Sequence, residues 1–354
     1  MIMKRTIAIS HDDLDAMSDF AEQKTRFDFS EPLEAVRQAR SGCAGKLRVL
    51  FCPQPDGGLV PARAAEEFAD ADEVVFIPPE DASGVERASA DVADFYFACR
   101  ACDGKGPRLL MARNRLEAWE HVANSKADGD AVLSLGAGEA PLRKAVRRRI
   151  WIGQGSNTWK SDLNLGVDYM KTSGPAGVAG ATLGIPWMAG IPGTIGGWIK
   201  MNAGAFGHSI SEVVEAVKVD GEWRTAAACG FAYRHSDIDG EIQGVKWRED
   251  ELKVAKARFL ASEFLSRRKA FPPGTYGSFF KNPEGDHAGR LLEEAGAKAL
   301  RVGGAYVWSE HANVIVRGEG ATSSDVLALA RLMRRLVRLR FGVLLEPEVQ
   351  GIEF

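Results

Sequence analysis

Along the first 140 residues, short apolar runs alternate with stretches whose apolar positions recur at helical spacing. In EPLEAVRQAR (31–40), Leu33, Val36 and Ala39 share one helix face. KLRVLFCP (46–53) is a continuous apolar run of the length of a buried strand. The alternation continues with a helix over 62–70 and a strand, DEVVFIPP (72–79), stopped by its two prolines. A helix over 88–99, a strand over 108–112, a helix over 114–124 and a strand, DAVLSL (130–135), come next. This order predicts an open, largely parallel α/β sheet. The polar, weakly patterned residues 1–27 are expected to form an N-terminal arm or a helix.

Beyond residue 140 the pattern is more broken. LRKAVRRR (142–149) is a basic linker or helix with a solvated face, and 150–152 reads as a strand. Strands are expected over 211–219 and 222–224, a helix over 261–269, and a short helix over 288–295 ended by Gly296. The strongest helical pattern spans 322–341, with Ser323 and Ser324 suited to its N-cap. Val326, Leu327, Ala330, Leu332, Met333, Leu336, Val337 and Leu339 form its broad apolar stripe. Its five arginines, 331, 334, 335, 338 and 340, are expected on a solvated face, and Glu348 leads into a final strand.

Glycine placement adds candidate chemistry. Met188 to Gly207, MAGIPGTIGGWIKMNAGAFG, holds six glycines and one charge, Lys200. Two readings stand: a loop of exposed N–H groups that cradles an anion, usually phosphate, or a tight buried turn that binds nothing. Gly136-Ala137-Gly138 comes after a strand, but Pro141 stands where a dinucleotide fingerprint needs its third glycine, and a plain β-to-α turn accounts for it. GQGSN (153–157) is a second Gly-rich turn lacking that third glycine. YRHS (233–236) puts an aromatic, a guanidinium, an imidazole and a hydroxyl in consecutive positions, and YGSFFKNP (276–283) sets Ser278 between a glycine and two aromatics.

Composition narrows the class. With 354 residues, 45% hydrophobic and 26% charged, the chain has room for two or three globular domains. A net charge of −3 gives no electrostatic case for nucleic acid. MIMKRTIAISHDDLDAM lacks the apolar core of a signal peptide, and no apolar run approaches the ~20 residues that span a bilayer. Five cysteines, an odd and sparse set, suit a reducing cytoplasm. Cys99 and Cys102 form one CxxC with no second ligand pair at metal-site spacing, so no metal is expected.

From about residue 150 the motifs resemble one family, UDP-N-acetylenolpyruvoylglucosamine reductase (UDP-N-acetylmuramate dehydrogenase), a flavoenzyme of peptidoglycan synthesis. GQGSN (153–157), AGIPGTIGG (189–197), MNAGAFG (201–207), YRHS (233–236), GSFFKNP (277–283), EHANVIV (310–316) and PEV (347–349) fall in the family's order. The resemblance implies FAD held by Gly153, Gly155, Ser156 and Asn157, by Gly190, Ile191, Pro192, Gly193, Thr194, Gly196 and Gly197, and by Asn202 and Gly204. It implies NADPH as hydride donor and a UDP-sugar carrying an enolpyruvyl group as substrate. Arg234 would meet the substrate carboxylate, Glu348 would assist polarisation, and Ser278 would be the proton donor. Tyr233 and Lys281, with Asn282 beside them, would contact the diphosphate or uridine region, and His235 would be structural.

The first half of that family's FAD domain is not recognisable here. Residues 28–140 instead resemble the C-terminal domain of Mur ligases, nearest to UDP-N-acetylmuramate–L-alanine ligase, through EPLEAVRQAR (31–40), VLFCPQP (49–55), FADADEVVFIPP (68–79) and DAVLSLGAGE (130–139). No GxxxxGK[ST] loop occurs, so ATP-driven ligation is not expected. The stretch between GSN and GIPG is abbreviated relative to the family.

The expected fold mixes α/β and α+β. An arm (1–27) precedes a ligase-like α/β layer (28–145), an abbreviated FAD-binding α+β domain (146–240) and a smaller α+β substrate domain (241–354). The expected setting is cytoplasmic, without membrane insertion, among partners of peptidoglycan synthesis. The alternative is a degenerate, non-catalytic fusion that binds UDP-sugar or acts as a scaffold in the same pathway.

Overall fold

The computed structural model describes residues 7–10, 32–53, 59–79, 91–101, 106–137 (except 126 and 128), 148–152, 157–171 (except 164 and 166), 184–248, 254–267 and 271–354 (except 353). It is a mixed α/β structure with one largely parallel sheet and several small antiparallel ones.

The first sheet has five strands: β1 (Ile7–Ser10), β2 (Leu47–Phe51), β3 (Glu73–Phe76), β4 (Arg108–Met111) and β5 (Ala131–Leu135). Their spatial order is β1-β5-β2-β3-β4, with every neighbour parallel except β1, which pairs antiparallel with β5. The expected N-terminal arm is therefore a sheet strand over residues 7–10. Between the parallel strands run α1 (Pro32–Ser41), the short α2 (Ala64–Glu67), α3 (Val92–Arg100) and α4 (Arg115–Ser125).

Strand residues alternate between two buried faces, as a parallel sheet covered on both sides requires. Leu47, Val49, Phe51, Val74, Phe76, Met111, Leu133 and Leu135 enter one core, and Leu50, Cys52, Val75, Ile77, Leu110, Ala112 and Val132 enter another. The second core is closed by Trp119 and Val122 of α4 and by Leu163 and Leu165. The first is closed by the far end of the chain, through α8 (Ser323–Phe341).

That helix overturns two sequence expectations. Its N-cap is Thr322, whose hydroxyl accepts from Asp325 N in a reciprocal capping box, and not Ser323 or Ser324. Nor do its arginines all line a solvated face, although Arg340 is exposed. Arg331 is 7% exposed with Nε 3.6 Å from Asp91, Arg335 pairs with Asp94, and Arg334 Nε donates to Leu345 O at 2.9 Å. Asp91 and Asp94 also form the capping box of α3. The first half of α8 is buried all round because the five-stranded sheet lies on one side and the C-terminal module on the other. Asp325, fully buried, accepts from Tyr96 Oη and Arg100 Nε, each at 3.0 Å.

Among the described residues, β6 (Arg148–Ile152) and β7 (Val167–Lys171) pair in parallel as a two-stranded sheet. The next module holds α5 (Ile195–Lys200), a short hairpin of β8 (Gly204–Ala205) and β9 (His208–Ser209), and a three-stranded antiparallel sheet. Its strands are β10 (Val214–Val219), β11 (Glu222–Thr225) and β12 (Ile242–Trp247), in the order β11-β10-β12. The expected boundary at 240/241 cuts through this sheet, since β12 pairs with β10. The following helix, α6 (Val254–Arg267), starts seven residues before the expected 261 and sends Phe264 onto the same module's core. The last module comprises α7 (Ala288–Glu294), β13 (Arg301–Val302), β14 (Ala305–Val307) and β15 (Ile315–Arg317), with α8.

Candidate active site

Three motifs far apart in sequence meet at Glu348. In the YRHS turn, Ala232 and His235 exchange backbone hydrogen bonds of 3.1 and 3.2 Å, and Arg234 sits at the tip with φ +54°. A non-glycine residue in the left-handed region is strained and must be held by its surroundings. Asn202 Nδ2 donates to Ala232 O at 2.9 Å, Ser236 Oγ donates to Lys200 O at 2.9 Å, and Lys200 Nζ donates to Ile238 O. The turn is thereby fixed to the end of α5. Arg234 Nε then donates to Glu348 Oε1 at 2.7 Å and Nη2 to Gly204 O at 3.1 Å, with the guanidinium 5.1 Å from the Tyr233 ring centre. Tyr233 itself is 55% exposed.

Glu348 is fixed by its backbone. Its N–H donates to Phe279 O at 2.8 Å, and its carbonyl accepts from Asn157 Nδ2 at 3.1 Å. Burial pushes its carboxyl above the ordinary carboxylate range, against the opposing pull of Arg234 and Lys281. In place of the expected final strand, isolated bridges form at Pro347 and Gln350. Ser278 precedes Phe279, so it lies next to the segment that carries Glu348. It is half-buried, and its hydroxyl has no hydrogen-bond partner among the described residues. Lys281 lies further along the same segment, with N donating to Glu346 O at 2.8 Å and Nζ 3.5 Å from Glu346 Oε2.

The structure thus brings together Arg234, Glu348, Ser278, Tyr233 and Lys281. Asn282 behaves differently: it is exposed, and its Oδ1 accepts from Ala288 N at 3.1 Å at the start of α7. The motifs gave no role to Asn313. It is buried and bonds to the backbone on both sides of Phe280. A polar residue inside the apolar run of EHANVIV was the one signal of it.

The glycine-rich stretch forms a turn into α5. Gly193 has φ +113°, a conformation open to glycine alone, and Thr194 caps the helix by accepting from Gly197 N at 3.1 Å. Gly190, Ile191 and Pro192 lead into this turn, where Ile191 N donates to Met188 O and Pro192 O accepts from Trp198 Nε1. The amides of Ile195 and Gly196 have no partner among the described residues, and a Cβ added at Gly196 would meet nothing nearer than Ile242 Cβ at 3.6 Å. Gly204 is different: a Cβ there would lie 2.1 Å from His208 O, so this glycine is required by the hairpin itself. Asn202 uses Nδ2 on Ala232 and Oδ1 on Ser211 N at 3.1 Å, and so holds protein rather than ligand with those atoms. Gly153, Gly155 and Ser156 lie outside the described residues. Asn157 is described, and its Oδ1 is buried with no partner. With Nδ2 committed to Glu348, that oxygen is an orphan acceptor, which a native site ordinarily satisfies. An orphan acceptor, free amides at a helix start and clearance over Gly196 fit a ligand with both phosphate oxygens and hydroxyl or N–H donors, as FAD has.

As chemistry, the cluster offers a fixed cationic fork, a carboxyl of raised pKa hydrogen-bonded to it, and an unengaged hydroxyl. Such a set can orient a carboxylate, steady negative charge developing beside it and deliver a proton. No group of His, Cys, Asp or Glu that could hold a metal ion occurs among the described residues. No helix there is long and apolar enough to cross a membrane.

The chain is similar to known proteins. Residues 269–352 match the family model described as UDP-N-acetylenolpyruvoylglucosamine reductase, C-terminal domain. The chain is 41% identical over 183 residues to the UDP-N-acetylenolpyruvoylglucosamine reductase of Myxococcus xanthus, covering 49% of this chain and 59% of that protein. It is 43% identical over 178 residues to UDP-N-acetylenolpyruvoylglucosamine reductase 2 of Symbiobacterium thermophilum, covering 47% and 58%. The crystal structure of the reductase from Thermus caldophilus aligns with 57% of this chain and 84% of its own at 30% identity, with a TM-score of 0.49. The chain spans less than two thirds of the length of the two relatives matched by sequence.

Proposed function

We propose that this chain, which carries the C-terminal domain of the UDP-N-acetylenolpyruvoylglucosamine reductase family, reduces UDP-N-acetylglucosamine enolpyruvate to UDP-N-acetylmuramate with NADPH. The observation that supports this most is the Arg234–Glu348 pair at 2.7 Å, on the segment whose Glu348 N–H also bonds Phe279, the neighbour of Ser278. FAD, when bound, would carry hydride from NADPH to the methylene carbon of the enolpyruvyl group. Asn157 and the turn from Gly190 to Gly197 would hold it, along with Gly153, Gly155 and Ser156.

Hydride addition at the methylene carbon leaves negative charge on the adjacent carbon and its carboxylate. Arg234 would bind that carboxylate in its planar fork, and Glu348 would hold Arg234 in place and share the charge. Ser278 Oγ would then give a proton to the carbon beside the carboxylate, turning CH2=C into CH3–CH. A hydroxyl is a weak acid in water and serves here only against a strongly basic carbanion in a site closed to solvent. Tyr233 and Lys281 would bind the uridine diphosphate end, which fits their exposure at the rim. The three-domain order of ligase-like layer, FAD domain and substrate domain, a cytoplasmic setting and partners in peptidoglycan synthesis belong to the same proposal.

Asn202 and Gly204, taken up by contacts within the protein, favour a second reading, in which a degenerate fusion binds UDP-sugar without catalysis. A visible spectrum of the purified protein separates the two. The first expects a yellow protein that NADPH bleaches and the enolpyruvyl substrate recolours. A colourless protein that takes up no added FAD sinks it.

A further inference from the structure

We propose that Asn313 is a positioning residue for the proton donor, setting Ser278 against the segment that carries Glu348. The proposal rests on the reductase reading above and assigns a role to a residue outside the chemistry.

Segment 274–281 runs beside two neighbours. On one side, Thr275 pairs with Val316, Arg317 N donates to Gly274 O at 3.0 Å, and Phe279 N donates to Asn313 O at 2.8 Å. Between these points, at Gly277 and Ser278, no rung is formed among the described residues. Gly277 has φ +79°, so the chain enters Ser278 through a residue with wide conformational freedom. Among the described residues no hydrogen bond is made by the Ser278 backbone or hydroxyl. The nearest upstream tethers are at Gly274 and Thr275, beyond the left-handed Gly277, whereas the downstream tether is at its immediate neighbour Phe279.

There Asn313 does what a strand backbone would do. Its Oδ1 accepts from Phe280 N at 2.9 Å and its Nδ2 donates to Phe280 O at 2.8 Å, next to the Phe279 N to Asn313 O bond. The opposite edge of the same segment carries Glu348, through Glu348 N to Phe279 O, and Glu346, through Lys281 N to Glu346 O. One buried amide thus holds the register of the strip that carries both Ser278 and Glu348. Asn313 is itself fixed, its own N–H donating to His311 Nδ1 at 3.2 Å. The reciprocal amide–backbone pair fixes both the oxygen and the nitrogen of the side chain, so a leucine of equal size could not replace it. Displacing a reacting group by about 1 Å costs on the order of 100-fold in rate, so register at this point matters to proton delivery.

The experiment uses the full-length flavin-loaded protein and measures its two half-reactions by stopped-flow absorbance. In Asn313→Ala, bleaching by NADPH stays within about twofold of the parent, while recolouring by the enolpyruvyl substrate slows by about 10- to 100-fold. Substrate KM stays near the parental value. Combining it with Ser278→Ala slows recolouring no further than Ser278→Ala alone, because the two act on one step. Asn313→Asp, of the same volume, keeps the acceptor and loses the donor; it shows the same split and covers the case in which the alanine variant does not fold. Amide exchange in ligand-free Asn313→Ala, which loses the acceptor of the Phe280 N–H, is faster at Phe280 and unchanged in α8. Recolouring at the parental rate, additive losses in the double variant, or unaltered exchange at Phe280 overturns the assignment. A parent protein that is never bleached overturns the reductase reading instead, and exchange at Phe280 still decides whether Asn313 holds the segment.

Discussion

Glu348 is a carboxyl whose surroundings disagree about its charge. Burial favours the neutral acid and outweighs Arg234 and Lys281, which favour the anion, so its pKa in the folded chain lies above the ordinary 4.5. Between 4.5 and that raised value the native state holds more protons than the unfolded chain, so unfolding free energy falls as pH rises through the window and is flat above it. Urea unfolding across this range should show a shallower decline in Glu348→Gln than in the parent. Equal slopes would mean that the group does not titrate as placed. Two glycines give a sharper contrast. Gly204→Ala puts a methyl 2.1 Å from a backbone oxygen and should open the hairpin whose Gly204 carbonyl receives Arg234, giving a poorly folded protein. Gly196→Ala meets only ordinary contacts, and alanine favours a helix by about 1 kcal/mol, so that variant should fold normally. If the turn cradles FAD, the added methyl lowers flavin occupancy in a protein of undiminished stability. Flavin content against melting temperature reads both. At this scale Arg234, Ser278 and Glu348 were legible because each sits in a distinctive motif. Asn313 and Asn202 were not, because an asparagine holding backbone and an asparagine holding ligand look alike until the partners are known.

The elements show where pattern reading holds and where it fails. Strands β2 to β5 and helices α1, α3 and α4 lie where apolar periodicity put them, because each is local and covered in a regular way, whereas β1 was not expected. α8 was found as a helix, but its polar residues were misread. Burial of Arg331 and Asp325 depends on α3, more than 200 positions earlier in the chain, which no local pattern encodes. Asp325 is the test. Its carboxylate caps α8 through Thr322 N and receives Tyr96 and Arg100 from α3. Removing one member of a buried, hydrogen-bonded ion pair ordinarily costs about 3–5 kcal/mol, less where the remaining charge can reach water, as the partly exposed Arg100 can. Asp325→Ala should lose about 2–4 kcal/mol in urea unfolding, and Tyr96→Phe about 1 kcal/mol. A loss below about 0.5 kcal/mol on the first would mean that the seam between sheet and helix is held by apolar contact alone.

In the whole molecule, sequence order and packing disagree about what the units are. Along the chain, the ligase-like layer comes first, as a piece separable from the remaining two thirds. In the fold, one continuous core joins the first face of its sheet, through Val49, Phe51 and Phe76, to Val326, Leu329, Met333 and Val337 of α8. The segment between has its own core, around Met188, Trp198, Ile210, Val214 and Val217, with Phe264 packed on it. Trp159 and Asp162 tie the linking stretch to the start of α8, through Trp159 Nε1 to Ser323 O and Ser324 N to Asp162 Oδ2. The cooperative units should accordingly be discontinuous: the first and last thirds unfold together, and the middle module separately. Amide exchange in low denaturant should give β2, β3 and α8 one common opening free energy and one denaturant dependence, with β10 and β12 falling on a different, lower curve. Exchange that groups β2 and β3 apart from α8 would show that the N-terminal layer is an appended domain after all. FAD at 100 times its dissociation constant should raise the middle curve by about 2.7 kcal/mol, because the proposed cradle includes the turn from Gly190 to Gly197 in that module. A middle curve unmoved by flavin would place the cofactor away from that turn.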